Sequence, residues 1–248
     1  MFERWKKHLV RKYYNDICND IYNDICNDIY NDIAKKKFFF PQAYSFEQIM
    51  SNIRNWVDYA KQDRSRPDAI PLLDFLISTV REDMRTSTVS DLLYSAGRRS
   101  RDWREALFPF HDCFQNVQEM DIPFAGNTVI SSIYDWEKIS RASYDIQHNG
   151  FHSDLNYFSG GYYPELHLIA MENGLHHSCA AAAFHAEGTV KLEVYPLKQI
   201  FPIVTTDGVF WNINGEYGPV SWPVVDIRMA ILFELARMKE DLSASPEP

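Results

Sequence analysis

The chain has 248 residues, of which 46% are hydrophobic and 15% aromatic. This length and composition predict a packed core and exclude a largely disordered chain. The net charge of -9 argues against a general duplex-binding surface, because such a surface needs clustered Lys and Arg to neutralise phosphates. Any nucleic-acid role would have to use the local basic patches at residues 4–12, 35–37 and 98–104.

Apolar runs and cysteines indicate where the protein resides. No stretch reaches the roughly 18 apolar residues that a bilayer-spanning helix needs. The basic start is not followed by the apolar stretch of a secretory signal. The four cysteines, Cys18, Cys26, Cys113 and Cys179, form no CxxC pair, which favours neither a zinc knuckle nor a disulfide framework. We expect a cytoplasmic protein that does not contact a membrane.

Residues 14–33 are five copies of [Tyr/Cys]-Asn-Asp-Ile, with Tyr and Cys alternating. Ile recurs every fourth residue beside Tyr or Cys, which is typical of an amphipathic helix. Asn and Asp are poor interior helix residues, so such a helix would need tertiary or partner packing. The repeat predicts a helical arm over residues 1–40 that can mediate self-association. An aspartate ladder that binds metal is the alternative interpretation.

A helical region is predicted over residues 41–123. Ser45 can cap a helix that runs to about Lys61. Pro71 can open the next helix, since proline suits the first helical position. The segment 90–108 has the pattern of a third helix.

The sequence changes character past Pro123, where short β-rich pieces alternate with Gly, Asn and Pro. This change predicts a mixed α/β domain over residues 124–242, followed by a disordered tail at 243–248. Within the domain, Asp135 can cap a short helix. Asp-Gly at residues 207–208 predicts a hairpin.

Three further local predictions concern the same domain. Ser-Gly-Gly at residues 159–161 predicts a loop. His167 alternates with two leucines, which favours a partly buried strand position. Pro223 is expected to open the final amphipathic helix.

The most informative segment, residues 165–184, has the pattern of a strand, a tight turn at Gly174 and a helix that opens at Ser178. Unpaired amides at a helix N-terminus suit a phosphate or carboxylate. The imidazoles of His176 and His177 can supply charge or a proton near neutral pH. The predicted phosphate-binding residues are Asn173, Gly174, His177, Ser178 and Cys179. A plain tight connection between strand and helix is the alternative.

The order strand, acidic or amide residue, Gly, any residue, His, basic residue, alanine-rich helix and strand resembles the ParB/sulfiredoxin-like fold. The signature turn of that group, Gly-x-His-Arg or Gly-Glu-Arg-Arg, would be Gly174-Leu175-His176-His177 here. The resemblance covers roughly residues 128–197. It implies that the small mixed α/β domain has this fold and that the turn holds nucleotide phosphates. Together with the helical region predicted before it, this gives an α+β protein. A looser resemblance is to a bacterial family of unknown function with an Asn-Gly-x-His-Ser-like turn.

Departures from the signature limit the chemistry. Sulfiredoxin-like enzymes place their nucleophilic cysteine where this chain has Leu175, which excludes cysteine-based repair there. ParB-like proteins have Glu at that place, followed by two arginines. Free-serine kinases of the same fold match best, through Glu172 and His176. His177 replaces the arginine that would clamp phosphate in a bidentate manner.

These residues predict the function. We expect binding of a nucleotide or nucleic-acid phosphate and, if the protein is catalytic, phosphotransferase or nuclease activity. His176 would act as acid/base, and Glu172 would assist or hold the Mg²⁺ that accompanies a nucleotide. The alternative is a non-catalytic interaction protein with a degenerate ParB-like fold.

Two competing sites are weaker. Six histidines between residues 148 and 185 offer metal ligands, but neighbours such as His176 and His177 point apart, and we predict no metal-binding residues. Cys179 near these histidines suggests a cysteine nucleophile. A small buried cysteine beside four alanines is the favoured interpretation.

Overall fold

The structure is a computed structural model that describes residues 42–63, 69–94, 108–131, 133–153, 158–215 and 218–244. The described residues form five α-helices and two β-sheets. The mixed α/β fold expected from the sequence is therefore confirmed. The predicted arm over residues 1–40, with its repeat, lies outside the described residues.

The helices are α1 (Gln42–Asp63), α2 (Ala69–Tyr94), α3 (Trp136–Asn149), α4 (Leu175–Ala183) and α5 (Ile227–Ala244). The strands are β1 (Gln118–Pro123), β2 (Thr128–Ile130), β3 (Ser159–Tyr163), β4 (Leu168–Asn173), β5 (Thr189–Val194), β6 (Val204–Thr206), β7 (Phe210–Gly215) and β8 (Gly218–Pro223). In this described part of the chain, no helix combines the length and apolar character needed to cross a membrane.

The larger sheet has the strand order β1-β5-β3-β4-β2. Its pairs alternate in direction: β1 with β5 and β3 with β4 are antiparallel, whereas β3 with β5 and β2 with β4 are parallel. Strand β1 precedes the predicted domain boundary at residue 124 and belongs to this sheet. The smaller sheet is an antiparallel meander in the order β6-β7-β8.

Strand β4 shows how the large sheet is covered on both faces. Leu168 and Ala170 belong to a hydrophobic core that includes residues of α1, α2 and α5. Ile169 and Met171 belong to a second core, formed with α3 and α4. Because successive side chains of a strand point to opposite faces, helices pack on each side and the sheet is the central layer.

Helix α1 buries a narrower face than its sequence pattern indicates. Phe46, Met50, Ile53 and Val57 recur at helical spacing and are all almost fully buried. Trp56, which lies three residues after Ile53 and so at helical spacing from it, is 52% exposed. Helix α2 begins slightly before Pro71 and continues through the start of the predicted third helix, the rest of which lies outside the described residues.

The predicted cap of α3 is confirmed. Oδ1 of Asp135 accepts hydrogen bonds from the amides of Glu137 and Lys138, at 2.9 and 3.1 Å. The helix is longer than predicted and ends at Gly150, whose φ of 76° is favourable for glycine.

The hairpin predicted at residues 207–208 is also confirmed, as the connection between β6 and β7. Oδ1 of Asp207 accepts hydrogen bonds from the amides of Val209 and Phe210, which stabilises the turn.

Three local predictions are wrong. Gly160 and Gly161 lie in β3, inside the sheet, and not in a loop. Pro223 ends β8, and the final helix begins later. His167 is exposed and left-handed, with a φ of 47°, at the end of a single 3-10 turn that precedes β4.

Candidate functional site

The predicted turn connects β4 to α4 through Gly174. This glycine adopts a left-handed conformation, with a φ of 70°, and precedes the first residue of the helix. The ring of Phe158 lies against its α-carbon, because a Cβ added at this position would be 2.2 Å from Cδ1 of that ring. Both the backbone conformation and the close packing therefore require glycine.

Ser178 lies inside the helix and does not open it, so the predicted helix start is wrong by one turn. Its amide and its Oγ both donate to the carbonyl oxygen of Gly174, each at 2.9 Å, and the residue is fully buried. The Ser178 amide is thus occupied by the first helical hydrogen bond. The amides without an intrahelical partner are the earlier ones, those of Leu175, His176 and His177.

His176 is the most enclosed histidine of the turn. It is 7% exposed, and its ring packs edge-to-face on the ring of Tyr134, with 4.8 Å between centroids. Its Nε2 is buried and has no hydrogen-bond partner among the described residues. Burial, followed by the nearby charge of Lys138, lowers the pKa of His176. The ring is therefore neutral near pH 7.

Two charged groups at the start of α3, Lys138 and its cap Asp135, influence the pKa of this ring. The Nζ of Lys138 contacts the hydroxyl of Tyr134 at 3.0 Å and lies 4.9 Å from the centroid of that ring. The carboxylate of Asp135 acts on His176 in the opposite sense, raising its pKa by a smaller amount. The ammonium group of Lys138 and the carboxylate of Asp135 both act on a ring in the first turn of α4, where the helix dipole is positive.

His177 and Asn173 face different neighbours. The Nε2 of His177 lies 3.6 Å from a carboxylate oxygen of Asp145 on α3. The Nδ2 of Asn173 donates to Oγ of Ser159, at 2.8 Å, across the β3–β4 pair. Both side chains therefore connect the turn to its surroundings in this conformation.

Glu172 lies near the end of β4, two residues before Gly174. Strand alternation places it on the face of β4 opposite to Met171, whose side chain belongs to the core that α4 covers. His176 lies in the first turn of α4. Among the described residues, no three His, Cys, Asp or Glu side chains form a group that could hold a metal ion.

Cys179 lies in the middle of α4, next to Ser178. Burial raises the pKa of its thiol to about 11, so the thiol is protonated at neutral pH. A protonated thiol is a weak nucleophile, and this environment favours a structural role for the residue.

Two residues outside the predicted site residues shape the site. Phe158 encloses Gly174, and the ammonium group of Lys138 is close enough to lower the pKa of His176. A signal existed for Lys138, because it lies three residues after the predicted cap Asp135 and so in the first turn of α3. Phe158 is one of several aromatic residues that precede the turn in the sequence, but no local pattern indicates its contact with Gly174, because that contact depends on the pairing of β3 with β4.

These residues define a mixed α/β protein whose central sheet leads through a strand–glycine–helix turn to a buried histidine. The chain belongs to a family of unknown function, DUF6710, whose sequence profile matches residues 19–245. The expected membership of a family of unknown function is therefore confirmed. Comparisons with curated proteins and with solved structures found no match.

Proposed function

We propose that this protein binds a phosphate-bearing ligand, a nucleotide or a nucleic-acid phosphate, at the N-terminus of α4. The observation that carries the proposal is the Nε2 of His176, which is buried without a hydrogen-bond partner among the described residues. A buried polar atom without a partner is unfavourable. His176 lies in the first turn of α4. The amides of that turn have no partner within the helix and favour an anion.

Two further features support phosphate as the ligand. The Lys138 ammonium is close enough to lower the pKa of His176, so it adds positive charge beside the helix terminus. The segment Gly174-Leu175-His176-His177 resembles the ParB/sulfiredoxin-like signature, in which the turn holds nucleotide phosphates. In the proposed complex, the anion contacts the amides of His176 and His177, and a small movement of the His176 ring lets Nε2 donate to it.

The test is a titration of the full chain with inorganic phosphate, a nucleoside triphosphate and a short oligonucleotide, followed by thermal unfolding. A ligand that binds the folded state raises Tm in proportion to RT ln(1 + [L]/Kd). Lys138→Gln should weaken binding. Arg141→Gln is the matched control, because it removes the same charge from the same helix at a side chain that is 75% exposed. If no probe raises Tm, the proposal fails.

The catalytic form of the proposal adds phosphoryl transfer from a nucleotide with bound Mg²⁺. In this form Nε2 of the neutral His176 is unprotonated and, instead of donating to the anion, would accept the proton of the attacking hydroxyl or water, while the new phosphorus–oxygen bond forms and the bond to the leaving oxygen breaks. Glu172 would assist the proton transfer or hold the metal. Release of phosphate or a nucleoside diphosphate by wild type, and not by His176→Phe, is the expected result.

The second candidate is a non-catalytic interaction protein with a degenerate ParB-like fold. The observation that favours it is the outer face of α1, where Trp56 and Tyr59 are 52% and 67% exposed. Size-exclusion chromatography of the full chain and of a variant lacking residues 14–33 separates the candidates. Loss of oligomers on deletion supports self-association through the repeat. An unchanged elution volume with retained phosphate binding supports the first candidate.

A further inference from the structure

A cavity of about 450 Å³ lies at the end of α4 opposite to Gly174. Its walls come from α2, from the connection between β1 and β2, and from the last turn of α4. Because α4 has nine residues, it is roughly 13 Å long, and the cavity is distinct from the turn. The lining residues that matter here are Arg81, Glu82, Arg85, Asn127, Ala182 and His185.

The cavity walls carry more positive than negative charge. Two guanidinium groups, Arg81 and Arg85, line it together with one carboxylate, Glu82. Two positive charges and one negative charge leave an excess of one positive charge. Such an excess in a concave site favours an anionic ligand.

Arg85 is held in place by its neighbours. Its Nε and Nη2 each lie 2.7 Å from the same oxygen of Glu82. The other oxygen of Glu82 accepts a hydrogen bond from Oγ1 of Thr128, at 2.8 Å. This chain of contacts fixes the guanidinium at the wall, so an anion would meet a preorganised group.

Arg81 has a different role. Its Nη1 donates to the carbonyl oxygens of Leu166 and His167, at 2.5 and 2.9 Å. These hydrogen bonds connect α2 to the 3-10 turn before β4. Its Nε is buried and has no hydrogen-bond partner among the described residues. Arg81 is therefore a positioning residue that also adds positive charge to the wall.

Asn127 brings an acceptor to the same wall. Its Nδ2 donates to the carbonyl of Pro123, at 2.8 Å, while its Oδ1 is buried without a partner in the described part of the chain. An orphaned acceptor costs free energy. If the side-chain amide of Asn127 rotated so that Oδ1 accepted from an N–H or O–H group of a ligand, that free energy would be recovered.

We propose that this cavity binds a small organic anion, a carboxylate or a phosphate ester, that also carries a hydrogen-bond donor. Arg85 and His185 contact the anionic group, and Asn127 accepts from the donor. Pockets of this volume suit small-molecule ligands. The site is independent of the proposed phosphate site at the other end of α4.

The experiment is isothermal titration calorimetry of the full chain with malate, as a hydroxycarboxylate, and with glycerol 3-phosphate, as a phosphate ester. Arg85→Gln and His185→Gln should each weaken binding of at least one probe, Arg85→Gln by about tenfold or more. Arg141→Gln and His148→Gln, exposed residues of α3, should bind as wild type does. His185 is exposed, so its variant keeps the test valid if Arg85→Gln does not fold.

The outcomes distinguish the two sites. Weakening by the cavity variants alone supports the cavity, and the probe that responds identifies the anion. The inference is overturned if neither probe binds, or if the cavity variants bind as the controls do. Binding of glycerol 3-phosphate that is lost in Lys138→Gln and retained in Arg85→Gln, with no binding of malate, overturns the cavity site while supporting the site at the turn.

Discussion

The ring of Phe158 lies against the α-carbon of Gly174, with its Cδ1 2.2 Å from the place where a Cβ would be. We expect Gly174→Ala to lower the free energy of unfolding by about 3 kcal/mol or more, through positive-φ strain and steric overlap together. Gly126→Ala is the matched control, because Gly126 has a φ of 79° and open space around it. That variant should lose only about 1 kcal/mol.

Urea denaturation of both variants measures this difference. In a Phe158→Ala background, the additional loss caused by Gly174→Ala should fall to the value found for Gly126→Ala. Equal losses in the two glycine variants would show that Phe158 does not restrict the turn.

A second prediction concerns the pH dependence of stability. Burial lowers the pKa of His176 in the folded state, whereas the unfolded chain keeps a value of about 6.5. The unfolded chain therefore binds the proton first as pH falls. The contribution of His176 to stability is complete above about pH 6.5 and decreases as pH falls from there toward the folded-state pKa.

His176→Phe keeps an aromatic ring against Tyr134 and removes the titrating group. We expect its free energy of unfolding, measured in urea between pH 5 and pH 8, to decline less than that of wild type on the acid side. The comparison must be a difference between the two proteins, because burial also lowers the pKa of His167. Parallel curves would contradict the proposed burial of His176.

A third prediction concerns Arg228, which joins the start of α5 to α2. Its Nε and Nη2 bind the buried carboxylate of Asp226, and its Nη1 binds Asp83 and Ser87. Arg228→Ala would remove the guanidinium and leave the buried carboxylate of Asp226 with a hydrogen bond from the backbone amide of residue 228. We expect a loss of about 2–3 kcal/mol in the free energy of unfolding. Arg141→Ala, which breaks an exposed ion pair with Glu137, should lose less than about 0.5 kcal/mol.

The fourth prediction concerns the reactivity of Cys179. Because burial raises the pKa of this thiol to about 11, alkylation by iodoacetamide at pH 8 should be at least about tenfold slower in the folded protein than in urea. Peptide mapping by mass spectrometry reports this residue separately from the other cysteines. Rapid labelling of Cys179 in the folded protein would contradict this prediction and support the hypothesis that Cys179 is a nucleophile.

Local chemistry made part of the fold predictable. Asp135 is recognisable as a cap because a carboxylate can accept from the first amides of a helix, and Asp-Gly at residues 207–208 indicates the hairpin. Both features depend on neighbours within three residues. The strand–glycine–helix order around Gly174 was recognisable for the same reason.

Contacts between distant segments explain the errors. Gly160 looks like a loop residue, yet a Cβ there would be 2.1 Å from the carbonyl oxygen of Ala170 on the paired strand. Pro223 looks like a helix start, but β8 is an edge strand, where a missing amide is tolerated. The cavity could not be predicted, because Arg85, Asn127 and His185 come from three separate segments.

The alternation of β4 between the two hydrophobic cores has a consequence for how the protein unfolds. Inserting a single residue before Leu168 would exchange the side chains delivered to each layer. Because one strand contributes to both cores, loss of β4 would disrupt both, and we expect the helices on the two sides to melt together.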